Sequence, residues 1–131
     1  MRKATRKPAD ANASSKKPVI RAQLRLTYGP DIAMGPGKAD LLERIRDTGS
    51  IAAAGRAMGI SYKRAWQLVE TMNGCFAEPL VTASRGGRGH GSSVLTPTGE
   101  AVLASYRGLT KSIEAGPELK AIRKLARRGR A

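Results

Sequence analysis

Alternation opens the patterned part of the chain. Ile20, Ala22, Leu24, Leu26 and Tyr28 are apolar, and Arg21, Gln23, Arg25 and Thr27 stand between them. A period of two sends one set of side chains to each face, so this stretch predicts a half-buried strand ended by Gly29-Pro30. The period then changes. Leu41, Leu42 and Ile45 form a helical stripe that starts with Pro36 at the first helical position, after Gly35, and stops at Thr48-Gly49. Ser50 caps a second helix, Ile51 to Met58, which is rich in small residues (Ala52, Ala53, Ala54, Gly55, Ala57) and closed by Gly59. Ser61 caps a third helix, reaching about Asn73-Gly74. On a 100° wheel Ala65, Val69, Met72 and Phe76 share one side of it. Lys63, Gln67 and Glu70 fall opposite, flanked by Arg64 and Thr71.

Helix, three-residue turn, helix is the pattern of a helix-turn-helix, whose second helix turns its outer face to the DNA major groove. Two short strands follow, Leu80–Ala83 and Ser93–Leu95, around the basic loop Arg85-Gly86-Gly87-Arg88-Gly89-His90-Gly91. This arrangement reads as a wing, and an ordinary long hairpin loop is the plainer alternative. Thr96-Pro97 opens a helix over 97–115, with Val102, Tyr106, Leu109 and Ile113 in one stripe. A helix of about 18 residues spans about 27 Å, long for a small core, so part of the stripe is expected to meet a second copy. Beyond Pro117, the spacing of Leu119, Ile122 and Leu125 allows a short basic helix. The fold class is therefore mainly α with a small antiparallel sheet, a winged helix-turn-helix.

Composition adds the partner. The 131 residues carry 24 Lys+Arg against 10 Asp+Glu, a formal charge of +14, with 40% hydrophobic residues. That suits one domain with tails: a basic disordered arm at 1–18, the winged domain at 19–116, and a basic tail at 117–131. The lone Cys75 excludes an intramolecular disulfide and a structural zinc site with several thiolates. No apolar run approaches the roughly 20 residues of a membrane span, and no basic stretch leads into an apolar segment at the start, so the expected place is the cytoplasm, on the nucleoid when bound. The pI near 10.9 points to a polyanion, double-stranded DNA before an anionic membrane surface. Each tail holds six cations, leaving 12 cations against 8 acids between them. That excess is concentrated at Arg56, Lys63, Arg64, Arg85 and Arg88, opposed by Glu70 and Glu78. A patch inside a folded region matters more than a tail because its geometry is fixed.

Lys63, Arg64 and Gln67 are the candidates for base edges, since Lys and Arg suit guanine O6 and N7 and Gln suits adenine N6 and N7. Ser50 and Ser61 stand at helix N-termini, where hydroxyls and backbone N–H groups suit phosphate, and as helix caps alone they also make sense. Tyr62 and Thr71 are backbone candidates, with Tyr62 alternatively part of the core beside Ala65 and Val69. Trp66 reads as an inter-helix packing residue and Arg56 as a solvating one. Arg85 and Arg88 are expected at flanking phosphates or the minor groove. For catalysis there is little material: His90 sits in the glycine-rich loop, Cys75 reads as a small buried hydrophobe, and the acids are scattered. The chain is read as a non-enzyme.

The stretches "GSIAAAGRAMGISYKRAWQLVETMN" and "EPLVTASRGGRGHGSSVLTPTGEAVLASYR" resemble the helix-turn-helix, wing and following helix of the molybdate-responsive ModE regulators. The "LTPTGE" ending is also shared, more distantly, with LysR-type regulators. The resemblance covers roughly residues 20–110. It implies a winged helix that dimerises partly through the long helix after the wing and binds an inverted-repeat operator near genes for molybdate uptake or use. Full-length members of that family carry C-terminal oxyanion-binding domains, for which the residues after the winged helix leave no room. The fold and DNA binding are therefore carried over; no cofactor is expected in this chain, and whether it binds molybdate is left open. The resulting expectation is a homodimeric, sequence-specific repressor. An architectural DNA-coating protein and a direct oxyanion sensor stand as rivals.

Overall fold

The computed structural model describes residues 18–83 and 92–127. The arm before residue 18, the loop 84–91 with Arg85, Arg88 and His90, and residues 128–131 lie outside the described residues. The chain divides into two units, one from Gln23 to Ser112 and one made of the segments before and after it.

In the larger unit, β1 (Leu26–Tyr28) pairs antiparallel with β2 (Asp31–Met34) across the two-residue turn Gly29-Pro30. This corrects the expected strand over 20–28. Ala22 and Leu24 do turn half-buried and Arg21, Gln23 and Arg25 stay exposed, but only three residues pair. Gly29-Pro30 reverses the chain instead of ending it. Three helices follow: α1 (Pro36–Thr48), α2 (Ile51–Met58) and α3 (Tyr62–Cys75). A second hairpin, β3 (Val81–Ala83) with β4 (Ser93–Leu95), pairs Val81 with Leu95 and Ala83 with Ser93. Ser50 adds an isolated bridge to Ser92, and the Ser93 N–H donates to the Gly49 carbonyl at 2.8 Å, which docks this hairpin on the α1–α2 turn. Finally α4 runs Pro97–Ala115. The architecture is mainly helical with small antiparallel pairs, a winged helix-turn-helix.

The helix starts follow from hydroxyl caps. Ser50 Oγ accepts from the Ala53 N–H at 2.9 Å, Ser61 Oγ from Arg64 N–H at 3.0 Å, and Thr96 Oγ1 from Gly99 N–H at 2.9 Å. Each satisfies a donor that the first helical turn leaves orphaned. The core behind them is one cluster: Met34, Leu41, Leu42, Ile45, Val69, Met72 and Leu80 are fully buried, with Leu103 and Tyr106 contributed by α4. Burying each such side chain stabilises by about 1.5–3 kcal/mol. The Tyr106 hydroxyl is satisfied by donating to the Leu24 carbonyl at 2.7 Å.

Charge braces α4 on α1. Arg107 Nε donates to Glu43 Oε2 at 3.0 Å, its Nη2 to Asp40 Oδ1 at 2.9 Å, and Arg46 meets Glu100 at 3.3 Å. The Arg107 hydrogen bond holds the Glu43 carboxyl below its ordinary range. The pairs with Asp40 and Glu100 are solvent-exposed, so each contributes under about 1 kcal/mol, while the Arg107–Glu43 bond is partly buried.

In the smaller unit, α5 spans Pro117–Lys124, in line with the expected short basic helix. Its Arg123 donates from Nε to the Ile20 carbonyl at 2.8 Å and pairs through Nη2 with Glu114 at 2.9 Å.

Gly99 packs closely on the backbone at Leu80. A Cβ there would lie 2.2 Å from the Leu80 carbonyl oxygen, and backbone cannot swing away as a flexible side chain would. Gly99→Ala is therefore expected to lower the free energy of unfolding by about 3 kcal/mol, measured by urea denaturation. A loss under about 0.5 kcal/mol would contradict this packing.

Candidate nucleic-acid interface

The second helix of the pair is aimed by what lies beneath it. Gly59 takes φ 74°, a left-handed conformation that costs glycine little, and its N–H donates to the Arg56 carbonyl at 3.0 Å. The Ile60 N–H returns to the Gly55 carbonyl at 2.9 Å, so the chain reverses within one turn. A Cβ on Gly55 would sit 3.2 Å from Ala65 Cβ, which shows how closely α2 approaches α3. Ala65, Val69 and Met72 face the core, as the wheel predicted.

The opposite face is free. Lys63, Arg64, Gln67 and Glu70 are all exposed, and neither Lys63 nor Arg64 pairs with an acid among the described residues. Lys38 of α1 adds to the positive field there. Burial lowers its ammonium pKa, and the neighbouring Arg64 and Arg25 lower it further. Ser61 is exposed and Ser50 half-buried; both hydroxyls cap helices, and each retains its own proton for an external acceptor. Thr71 is half-buried and donates its hydroxyl to the Gln67 carbonyl at 3.0 Å, so it offers no free proton outward.

Two aromatic residues lie on this exposed side. Tyr62 is 55% exposed, which sets aside the core alternative for it, and Trp66, expected to pack between helices, is 38% exposed. Trp66 Nε1 donates to Tyr62 Oη at 2.7 Å. Cys75 is half-buried rather than fully buried, and desolvation, followed by the charge of Asp31, raises its thiol pKa, which disfavours the thiolate. Among the described residues no group of three or more His, Cys, Asp or Glu is placed to hold a metal ion, and no helix is long and apolar enough to cross a membrane.

The contact most hidden from sequence is Asn73, near the end of α3. Its Oδ1 accepts from Leu80 N–H at 2.8 Å and Val81 N–H at 3.2 Å, and its Nδ2 donates to the Val81 carbonyl at 3.2 Å. Thr96 grips the same segment from the other side, donating its hydroxyl to the Pro79 carbonyl at 2.7 Å. One amide thus fixes the base of the second hairpin to the exposed helix.

No family model matches the chain. Over 83 residues it is 49% identical to the molybdenum-pterin-binding protein MopB of Rhodobacter capsulatus, which takes in 63% of this chain and 29% of that protein. With MopA of the same organism the identity is 40% over 92 residues, 70% of this chain and 34% of the relative. The molybdenum transport protein ModE of Azotobacter vinelandii is 39% identical over 88 residues, 67% of this chain and 33% of that one. The chain therefore spans about a third of the length of these relatives. Among solved structures, a LysR family transcriptional regulator superposes with TM-score 0.47 and 14% identity, over 60% of this chain and 25% of the other.

Asn73→Ala strips partners from two N–H groups and a carbonyl at once. It is expected to cost about 2 kcal/mol of stability and to raise amide hydrogen exchange at Leu80 and Val81 while α1 is unaffected. Unchanged exchange at both amides would show that the side chain does not hold this segment.

Proposed function

We propose that this homologue of the MopA, MopB and ModE proteins is a sequence-specific, DNA-binding regulator of transcription linked to molybdenum metabolism. The observation that carries the reading is the exposed face of α3: Lys63, Arg64 and Gln67 turned outward over a sealed core, with cations that no described acid neutralises. Such a helix enters the major groove by its N-terminal turns. Lys63 and Arg64 then take guanine edges, and Gln67 an adenine edge. Ser50, Ser61 and Tyr62 meet the phosphates that set the register. Thr71 falls to a supporting place, and Arg85 and Arg88 are assigned to flanking phosphates on sequence grounds.

The active species is a homodimer joined through α4, on an inverted repeat, and it represses by occupying the promoter. Leu109 supports the dimer. It is 43% exposed and continues an apolar surface with Leu26, Phe76, Val102 and Tyr106, around a hollow of about 280 Å³. The relatives' names associate them with molybdenum pterin and molybdenum transport, and here the corresponding proposal is confined to the genes controlled.

Selection from a random duplex pool at moderate salt is the direct test, and an enriched inverted repeat with half-sites one or more helical turns apart is the expected result. On such a site Lys63→Ala and Arg64→Ala should each lower affinity by about tenfold or more with little change in melting temperature. Full affinity in both variants rejects the assignment of α3. Leu109→Glu should shift the protein to monomer in sedimentation and weaken binding to the two-half-site duplex by about tenfold or more. A Leu109→Glu protein that remains dimeric puts the joint elsewhere.

A further inference from the structure

The Tyr62–Trp66 pair has a hydrogen-bond arithmetic that helix packing does not use. The two residues are one turn apart on α3, and Trp66 Nε1 donates to Tyr62 Oη at 2.7 Å. An indole N–H is a donor only, whereas a phenol carries one proton and two lone pairs. Trp66 therefore occupies a lone pair of Tyr62 and offers nothing to its proton. No acceptor among the described residues takes that proton, which belongs to a residue 55% exposed at the first position of α3. The position is also the positive end of the helix macrodipole, beside Lys63 and Arg64, so the acceptor favoured there is an anion.

Trp66 and Tyr62, together with Ile51, Val69, Val81 and Ser93, line a hollow of about 190 Å³ between α3 and the second hairpin, and Trp66 as a whole is 38% exposed. An aromatic ring at the edge of a groove, hydrogen-bonded to a phenol on the same helix, matches the alternation of a nucleic-acid strand: apolar deoxyribose edge, then anionic phosphate.

We infer that Tyr62 and Trp66 form a backbone clamp for duplex DNA, in which Tyr62 Oη–H donates to a phosphate oxygen and Trp66 holds the phenol in the donating orientation. This rests on the proposed reading of α3 and deepens it. Tyr62 is the contact residue and Trp66 its positioning residue. Because the phenol is neutral, the clamp adds affinity without adding to counterion release, unlike Lys63 or Arg64.

The test uses the full chain and a single duplex cloned from the DNA that it retains from a random pool, titrated across salt. Tyr62→Phe is expected to weaken binding by about tenfold at every salt concentration, with the slope of log affinity against log salt unchanged and the melting temperature preserved. Trp66→Phe should weaken binding several-fold in the wild-type background and add no further loss to Tyr62→Phe, a non-additivity that a merely structural tryptophan would not show. Replacing single phosphates by methylphosphonate should reveal one position per half-site that matters to the wild type and not to Tyr62→Phe. Wild-type affinity of Tyr62→Phe, or additive losses in the double variant, overturns the clamp. Lys63→Ala and Arg64→Ala in the same titration separate the two levels. If they bind fully, the reading of α3 itself fails; if they lose affinity while Tyr62→Phe does not, the clamp fails together with the phosphate contact assigned to Tyr62, and the base-reading role of Lys63 and Arg64 stands.

Discussion

Everything exposed on α3 takes its direction from the seam between α2 and α3. At Gly55 and Ala65 the two helices come so close that one added methyl would press on the other side chain at 3.2 Å. The seam works because α2 offers small residues, and because Gly59 reverses the chain at a φ of 74° that other residues resist. With Ala65, Val69 and Met72 committed to the core, the 3.6-residue period leaves Lys63, Arg64 and Gln67 no direction but outward. The reading surface is thus a by-product of packing. A larger residue in the seam would rotate or lift α3 and move every one of these side chains together.

Electrostatics reinforces the same separation. Asp40 and Glu43 are engaged by Arg107, and Glu100 by Arg46, so these acids are compensated where α4 braces α1. The cations of α3 have no such neutralisation among the described residues, and Lys38 adds its charge close to Arg64. The formal +14 of the whole chain draws a polyanion in without choosing where it lands. The local sorting of paired and unpaired charge within the folded unit is what selects a face.

Much of this was legible in the residue order, for local reasons. Ser50, Ser61 and Thr96 cap the helices they were expected to cap, because a hydroxyl two or three residues ahead of an orphan N–H is a short-range signal. The inward and outward sides of α3 followed from periodicity alone. What escaped depended on partners distant in sequence or on ambiguous punctuation. Gly29-Pro30 marks an end and a turn equally well, and Ile32-Ala33-Met34 lacks the alternation that would have announced β2. Asn73 looked like a helix terminator, since its partners at Leu80 and Val81 appear only once the hairpin folds back. Trp66 reads from the sequence as an inter-helix packing residue, yet it is 38% exposed and its N–H donates to Tyr62 on its own helix. Of the candidate contacts, the structure brings Ser61, Tyr62, Lys63, Arg64 and Gln67 onto one exposed helical end, while Arg85 and Arg88 lie outside the described residues.

The stretch Pro79–Val81 is held from both sides, by the Asn73 amide on one and by the Thr96 hydroxyl and the methyl-free face of Gly99 on the other. Three separate elements converge on three residues, which leaves that joint almost no slack. For a protein that docks on a duplex as proposed, the distance between helix and hairpin base becomes a caliper set at one opening. Sequences whose grooves sit naturally at that width are accepted, and those that must be squeezed or spread pay the elastic cost themselves, at base pairs that no side chain touches.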